Sequence, residues 1–320
     1  MEPLFLEPIF KEKIWGGERL RQYGYDIPTN KTGEAWCISA HPNGSSKISS
    51  GTYEGWTLRE LWNTEPALFG EKTVREFPLL VKLLDANDIL SVQVHPNDEQ
   101  AQKLEPNEAY GKTECWYIAH AEPGAELILG HHASSREEFK DKVKKEKWET
   151  LFKRVPVKSG DFYFVPSGTI HAIGKGIVIL EIQQSSDTTY RVYDFDRTDN
   201  EGHKRELHLK KAVEVTTVPA RDATPNKKIL SESSGTILTE LLSDNYFSVY
   251  KCDLGGSFAL PLKTGLNLFS VLTGSGQFIL NDKKYLFEKG DHFILPAGSK
   301  DKELELRGKA SLMIANEGSH

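Results

Sequence analysis

Gln93 and His95 lie two residues apart in the run Ser91-Val92-Gln93-Val94-His95, and their types invite a chemical reading. Alternate side chains of an extended strand share a face, so Ser91, Gln93 and His95 point the same way. Gln93 and His95 could then offer an amide oxygen and an imidazole nitrogen to one ion. First-row divalent metals accept such a mixture together with a carboxylate. Two more candidates are Glu114, which opens the strand-like 114–119, and His171, which ends a G-x5-P-x-G-x2-H pattern starting at Gly160. Q-x-H alone reads as two side chains satisfying backbone groups in a polar pocket. Joined to Glu114 and the His171 turn, it reads as a metal site.

These residues need a frame, and the sequence is rich in short strands. The runs 91–95, 126–130, 161–166, 177–183, 247–254, 268–274, 276–281 and 292–298 carry Val, Ile, Leu, Phe and Tyr between Gly, Pro, Asn and Asp. That pattern predicts an all-β sandwich or barrel rather than alternating βαβ units. Two stretches read as helices. Thr57 to Leu68 has Glu60 at capping-box distance from Thr57, and Ser135 to Phe152 places acids early and bases late, as the helix dipole favours. Residues 98–112 read as a short helix mixed with loop. An internal echo is sharper still. Gly160-Asp161 to His171 and Gly290-Asp291 to Asp301 share one pattern, a strand entering a Pro/Gly turn. A duplicated β module explains it. Asp301 stands where the first copy has His171 and no Q-x-H lies upstream, so a metal is expected in the first copy only.

Composition narrows the class. The chain has 320 residues, 38% hydrophobic, with a formal net charge of −6. This length suggests roughly two domains. No apolar run approaches the about 18 residues of a membrane span. The acidic, proline-containing start does not resemble a signal peptide. Mild acidity argues against a nucleic-acid partner. Cys37, Cys115 and Cys252 are odd in number and widely spaced, which points to a reducing, cytoplasmic setting without disulfides.

At this point a family resemblance emerges. The turn around His171 resembles the second signature motif of cupins, and Ser91 to Pro96 with a downstream Glu114 resembles the first, lengthened by an insertion. Ile14-Trp15-Gly16-Gly17, Gln93 to Pro96, Gly111-Lys112-Thr113-Glu114, Pro166 to Ala172 and Asp187 to Arg191 together resemble the type I mannose-6-phosphate isomerases in their short bacterial form. The resemblance runs over most of the chain. It implies two cupin-type, jelly-roll β-barrels with helical insertions in the N-terminal half. One zinc ion would be held by Gln93, His95, Glu114 and His171. The implied reaction interconverts mannose 6-phosphate and fructose 6-phosphate through an enediol. Catalytic positions would be Arg191, Asp187, Lys112 and Glu181, with substrate contacts at Lys82, Ser91 and Trp15. The larger helical insertion of the eukaryotic enzymes is expected to be reduced.

Elementary chemistry agrees with that assignment. An aldose–ketose isomerase removes a proton beside a carbonyl and returns it to the neighbouring carbon. A divalent ion can polarise the oxygens, and a nearby cation can stabilise the developing oxyanion. Arg191 suits that cation because it stays charged. Lys112 could move a proton if burial lowered its pKa, and Lys82 could equally anchor the phosphate. The choice of base stays open. Several of these residues also have plainer readings. Lys82 could snorkel from an apolar run, Arg191 and Asp187 could form a structural ion pair, and Trp15 could be core or pocket wall. His131-His132 reads as surface, and His203 and His292 as uninvolved.

The expected organisation is a catalytic domain over 1–235, with helical insertions about 54–70 and 98–152, and a C-terminal cupin-like domain over 236–320 without metal ligands. A monomer or weak homo-oligomer is expected, with no membrane partner. Rival readings are an isomerase or epimerase of another phosphosugar, and a non-catalytic metal- or sugar-binding cupin.

Overall fold

The structure is a computed structural model and describes residues 2–70, 76–199, 201–297 and 303–318. It is mainly β, as the turn-punctuated runs predict. Two sheets face each other in the N-terminal part. One is six-stranded, in the order Phe162–Val165, Glu114–Ala121, Ile177–Gln184, Leu79–Ala86, Thr32–Ile38, Ile9–Gly17. The other is five-stranded, in the order Phe152–Pro156, Glu126–His131, His171–Ile173, Val92–Val94, Tyr190–Tyr193. Their pairings are antiparallel. The sheets form an open sandwich of the cupin type rather than a continuously closed barrel. Between them lies an apolar cluster in which Trp15, Leu84, Trp116, Ile118 and Ile179 meet Leu127 and Ile173. The outward faces are buried as well, which explains why these strands read as continuous apolar runs. Val92, Val94, Ile128 and Tyr190 pack against Phe139, Val143 and Ala212 of helices outside the five-stranded sheet.

The helices follow their sequence signals, with one difference. Leu58–Thr64 begins with the expected Thr57–Glu60 capping box. The helix anticipated over 135–152 is broken. Arg136–Lys144 starts at a Ser135 cap, the chain turns at Glu146 with φ 51°, and Trp148–Leu151 resumes. Phe139 and Val143 cover the sheet from one side of the break and Leu151 from the other, so packing overrode a continuous helical pattern. Within 98–152 the helical segments are interrupted by the strands Glu114–Ala121 and Glu126–His131, which belong to the two sheets.

The C-terminal part forms a sheet around the long strands Asn267–Leu280 and Glu303–Glu317, with its own core of Phe269, Phe278, Phe293 and Leu312. The first strand of the chain, Leu4–Glu7, pairs with His292–Leu295 of this sheet, crossing the boundary expected near residue 235. A buried hydrogen-bond chain adds to that tie. Tyr25 Oη donates to the Gly290 carbonyl (2.9 Å) and accepts from His292 Nε2 (2.7 Å), and Ser270 Oγ donates to His292 Nδ1 (2.8 Å). The turn of the second echo at 298–301, with Asp301, lies outside the described residues.

Candidate metal centre and active site

Strand register gathers the site. Gln93 lies opposite His171 on one side and opposite Arg191 on the other, so these three form a row across the five-stranded sheet. On the facing sheet Glu114 lies opposite both Val165 and Gln183, while Glu181 lies opposite Trp116 and Lys82. The insertion between His95 and Glu114 returns to its starting point. Asn97 caps the helix Asp98–Leu104. Gly111 N donates to Asp98 Oδ1 (2.7 Å), and Lys112 N to the Pro96 carbonyl (2.9 Å). A Cβ on Gly111 would meet the Asn97 carbonyl carbon at 2.4 Å, so this close return requires glycine. The second turn works similarly. Gly168, at φ +83°, donates its N–H to the His95 carbonyl (2.8 Å) and so ties the His171 turn to the strand end at His95.

Within this frame His95 Nε2 stands 3.5 Å from Glu114 Oε2, and His171 Nε2 stands 3.4 Å from Glu114 Oε1. All three side chains are buried. The protonation pattern follows from the outer partners. His95 Nδ1 meets the Thr188 carbonyl at 2.9 Å, and His171 Nδ1 meets the Thr169 carbonyl at 2.9 Å. A carbonyl only accepts, so each Nδ1 carries the proton and each Nε2 offers a lone pair. Burial, with the Lys112 ammonium nearby, keeps both rings neutral. His95 is pushed well below the ordinary histidine range and His171 down to about 4. Two nitrogen lone pairs therefore face a buried carboxylate neither of whose oxygens accepts a well-directed hydrogen bond.

A cation fits this donor set. Ligands about 2.0–2.1 Å from zinc in a tetrahedron lie about 3.3 Å apart, close to the 3.4 and 3.5 Å observed. Gln93 adjoins the group. Its Nε2 is 3.3 Å from His171 Nε2, and the same amide turned end for end presents its oxygen there.

The remaining charges crowd around this centre. Lys112 Nζ is 2.8 Å from Glu114 Oε2 and 3.2 Å from His95 Nε2. Burial works against its charge, but Glu114 and Glu181 outweigh that and raise its pKa. Lys112 is thus held as an ammonium, opposite to the lowering on which a proton-shuttle role was conditioned. Glu181 is shifted up by burial and by Glu114, while accepting from Trp116 Nε1 (3.0 Å) and lying 3.6 Å from Lys82. Lys82 does not snorkel. It is 3% exposed, with its ammonium 4.9 Å from the centre of the Trp36 ring.

The other expected residues divide. Ser91 is buried just before the Gln93 strand. Trp15 belongs to the apolar cluster that also contains Trp116, which selects core from its two readings. Arg191 and Asp187 make no ion pair with each other among the described residues. Arg191 Nη1 donates to the Glu206 carbonyl (2.7 Å) with Nε buried and unpartnered, and Asp187 accepts from Asn43 Nδ2 (3.2 Å). Burial and the neighbouring Arg205 lower the Arg191 pKa. His131 is buried rather than on the surface, donating from Nε2 to the Thr217 carbonyl (2.9 Å).

Some neighbours were not anticipated. Glu34 accepts from Trp36 Nε1 (2.7 Å) and faces Lys13 (3.2 Å). Although burial opposes it, Lys82 and Lys13 hold this carboxyl down to about 2. Gln183 shares the face of Glu181, two residues on, a signal already present in strand alternation. A cavity of about 470 Å3, lined by His41, Arg59, Glu76, Gln102, Glu108 and Ser185 among others, adjoins the loop carrying Asp187.

Fold and centre together define a cupin whose buried His95, Glu114 and His171 could hold a metal ion. Comparison with known proteins narrows this class. The family model "Phosphomannose isomerase type I, catalytic domain" matches residues 4–113, and "Mannose-6-phosphate isomerase, cupin domain" matches 237–316. The mannose-6-phosphate isomerase of Streptococcus mutans is 51% identical over 298 residues, covering 92% of each chain. The mannose-6-phosphate isomerase ManA of Bacillus subtilis is 48% identical over 318 residues, covering 98% of this chain and 99% of its own. A crystal structure of the mannose 6-phosphate isomerase from Bacillus subtilis superposes with a TM-score of 0.94 at 45% identity, covering 99% of this chain and 100% of that one. The chain belongs to the type I phosphomannose isomerases.

Proposed function

We propose that this enzyme interconverts mannose 6-phosphate and fructose 6-phosphate through an enediol, with one zinc ion held by Gln93, His95, Glu114 and His171. The observation that carries the metal assignment is the pair of Nε2 lone pairs, each within 3.5 Å of the buried Glu114 carboxylate. Zinc, when bound, supplies Lewis acidity toward the sugar's carbonyl and adjacent hydroxyl. The chain's own groups do the rest. Glu181, whose carboxyl is shifted above the ordinary carboxylate range by burial and by Glu114, suits proton transfer between neighbouring carbons. Lys112, held as an ammonium, and Arg191, in the row with Gln93, oppose the charge that develops on oxygen. Lys82 and Ser91 face the substrate in this reading, and Asp187, tied to Asn43, borders it.

Residues 1–235 form the catalytic unit in this proposal and 236–320 a cupin-like unit without metal ligands, with Leu4–Glu7 lent to its sheet. We place the enzyme in the cytoplasm, as a monomer or weak homo-oligomer. Its three cysteines are buried free thiols, and among the described residues no helix is long and apolar enough to cross a membrane.

The test is turnover of mannose 6-phosphate in heavy water, with and without chelator, following fructose 6-phosphate and deuterium at the transferred position. Formation of labelled product that stops on chelation and returns with zinc is expected. Absence of conversion by metal-replete protein rejects the reaction, and conversion indifferent to chelation rejects the metal.

A further inference from the structure

Gln183 carries a buried polar atom that the roles above leave unused. The residue is 0% exposed, and its Nε2 donates to the carbonyls of Gln184 (2.8 Å) and Ser186 (2.7 Å). Both partners only accept, so the amide is locked with nitrogen toward the loop and cannot turn end for end. Its Oε1 is then fixed in place, buried, and without a donor. Leaving such an acceptor buried and unpaired is unfavourable, so a donor arriving there would be held. Register shows where it faces. Gln183 lies opposite Glu114 and shares a strand face with Glu181, so it belongs to the wall that carries the site.

The second half of the molecule supplies an internal control. Glu114 lies opposite Val165, just before Pro166, and opposite Gln183. Asn267 lies opposite Leu295, just before Pro296, and opposite Asn316. Asn267 and Asn316 thus hold the places of Glu114 and Gln183. There the two side chains satisfy each other, Asn316 Nδ2 donating to Asn267 Oδ1 (2.9 Å), and Asn267 Nδ2 donating to the carbonyls of Lys263 (2.9 Å) and Gly265 (3.1 Å). Among the described residues of that half no metal-ligand group gathers, and the pair closes on itself. In the catalytic half Glu114 turns to the imidazoles and Gln183 is left with an acceptor to offer.

We propose that Gln183 Oε1 accepts a hydrogen bond from a non-reacting hydroxyl of the bound sugar, making Gln183 a specificity residue of this site. The inference rests on the phosphosugar reading above and adds the contact that would read the sugar's hydroxyl pattern. A fixed acceptor favours an epimer that presents a hydroxyl to it and disfavours one that does not.

The experiment compares wild type with Gln183→Met, which removes both amide functions, and Gln183→Asn, which keeps them on a shorter stem. Each protein receives mannose 6-phosphate and its 3-deoxy and 4-deoxy analogues. KM and kcat are measured by turnover, Kd by calorimetry, and metal content by elemental analysis. With metal content unchanged, Gln183→Met should weaken mannose 6-phosphate binding by about tenfold. For one deoxy analogue that penalty should vanish, because the hydroxyl it would have engaged is already gone. Disturbance of the loop at 184–187 alone would penalise all three sugars equally, and that result overturns the proposal. An unchanged Kd does the same, assigning the acceptor to water. Should Gln183→Met not fold, Gln183→Asn runs the same cycle. Wild type that binds but does not turn over mannose 6-phosphate rejects the isomerase reading, while the Kd cycle still decides the role of Gln183. Wild type that binds none of these sugars rejects both.

Discussion

The Lys112 ammonium reaches Glu114 Oε2 and His95 Nε2, but Glu114 Oε1 and the His171 Nε2 lone pair still face each other at 3.4 Å, buried, which a bound cation would reconcile. That argument makes His171→Ala a sharp substitution. Even partners one step out from a metal are worth roughly 10–100-fold in affinity, and a ligand is worth more. Zinc affinity should fall by more than about a hundredfold, with activity lost in parallel, as titration against a chromophoric chelator will show. Lys112→Met should behave differently. It removes an ammonium that touches Glu114 and His95 without being a ligand candidate. Metal should therefore be retained while kcat drops by about 10²-fold or more, and retention of full kcat would remove Lys112 from the chemistry.

Elements matter because the candidate ligands arrive from three of them, Gln93 and His95 from one strand and its end, and Glu114 and His171 from two others. His171 is aimed by a turn in which Gly168 adopts φ +83°, with Thr217 Oγ1 2.5 Å from where a Cβ would sit. Gly168→Ala should cost about 1–2 kcal/mol from the left-handed backbone, plus a steric part, and should weaken zinc binding although no ligand is changed. Thermal melts with and without metal separate the two effects. Thr57→Ala is the contrasting case. It removes a capping box on a helix away from the ligands, so about 1 kcal/mol of stability should go while KM and metal affinity stay put. Both devices were legible as patterns, the P-x-G turn and the Thr57–Glu60 spacing. The break of the helix expected over 135–152 was not, because it answers to the shape of the sheet it covers.

At the scale of the whole molecule, the tie between first and last thirds of the chain is a neutral histidine. Burial pushes His292 down to about 3, against 6.5 for an unhindered ring. Between those values the unfolded chain binds a proton that the native state refuses, so this residue's contribution is present above pH 6.5 and lost as pH falls toward 3. The shift corresponds to a few kcal/mol, roughly 1.4 per unit. Denaturant titrations should show stability declining across that window, and His292→Gln should flatten the decline. Global charge makes a second prediction. The formal net charge is −6, yet the proposed substrate is anionic, so its attraction must be local, from Arg191, Lys112 and Lys82. Raising salt from low to physiological strength should raise KM several-fold with little change in kcat, since screening weakens the encounter more than the buried chemistry.

Strand alternation, turn chemistry and motif spacing were enough, from sequence alone, to place Gln93, His95, Glu114 and His171 in one site and to make the fold β-rich and duplicated, because these signals are local and periodic. The family resemblance placed Glu181 in the site, and strand alternation extended by two residues reaches Gln183. The tertiary structure alone decided matters that depend on what stands opposite. It buried Lys82 against Trp36 and Glu181 instead of letting it reach solvent, put Trp15 into the core, separated Arg191 from Asp187, and kept Lys112 charged beside Glu114. Cross-strand register and the balance of burial against neighbouring charge have no one-dimensional signature. They arise only when residues far apart in the chain share a low-dielectric space.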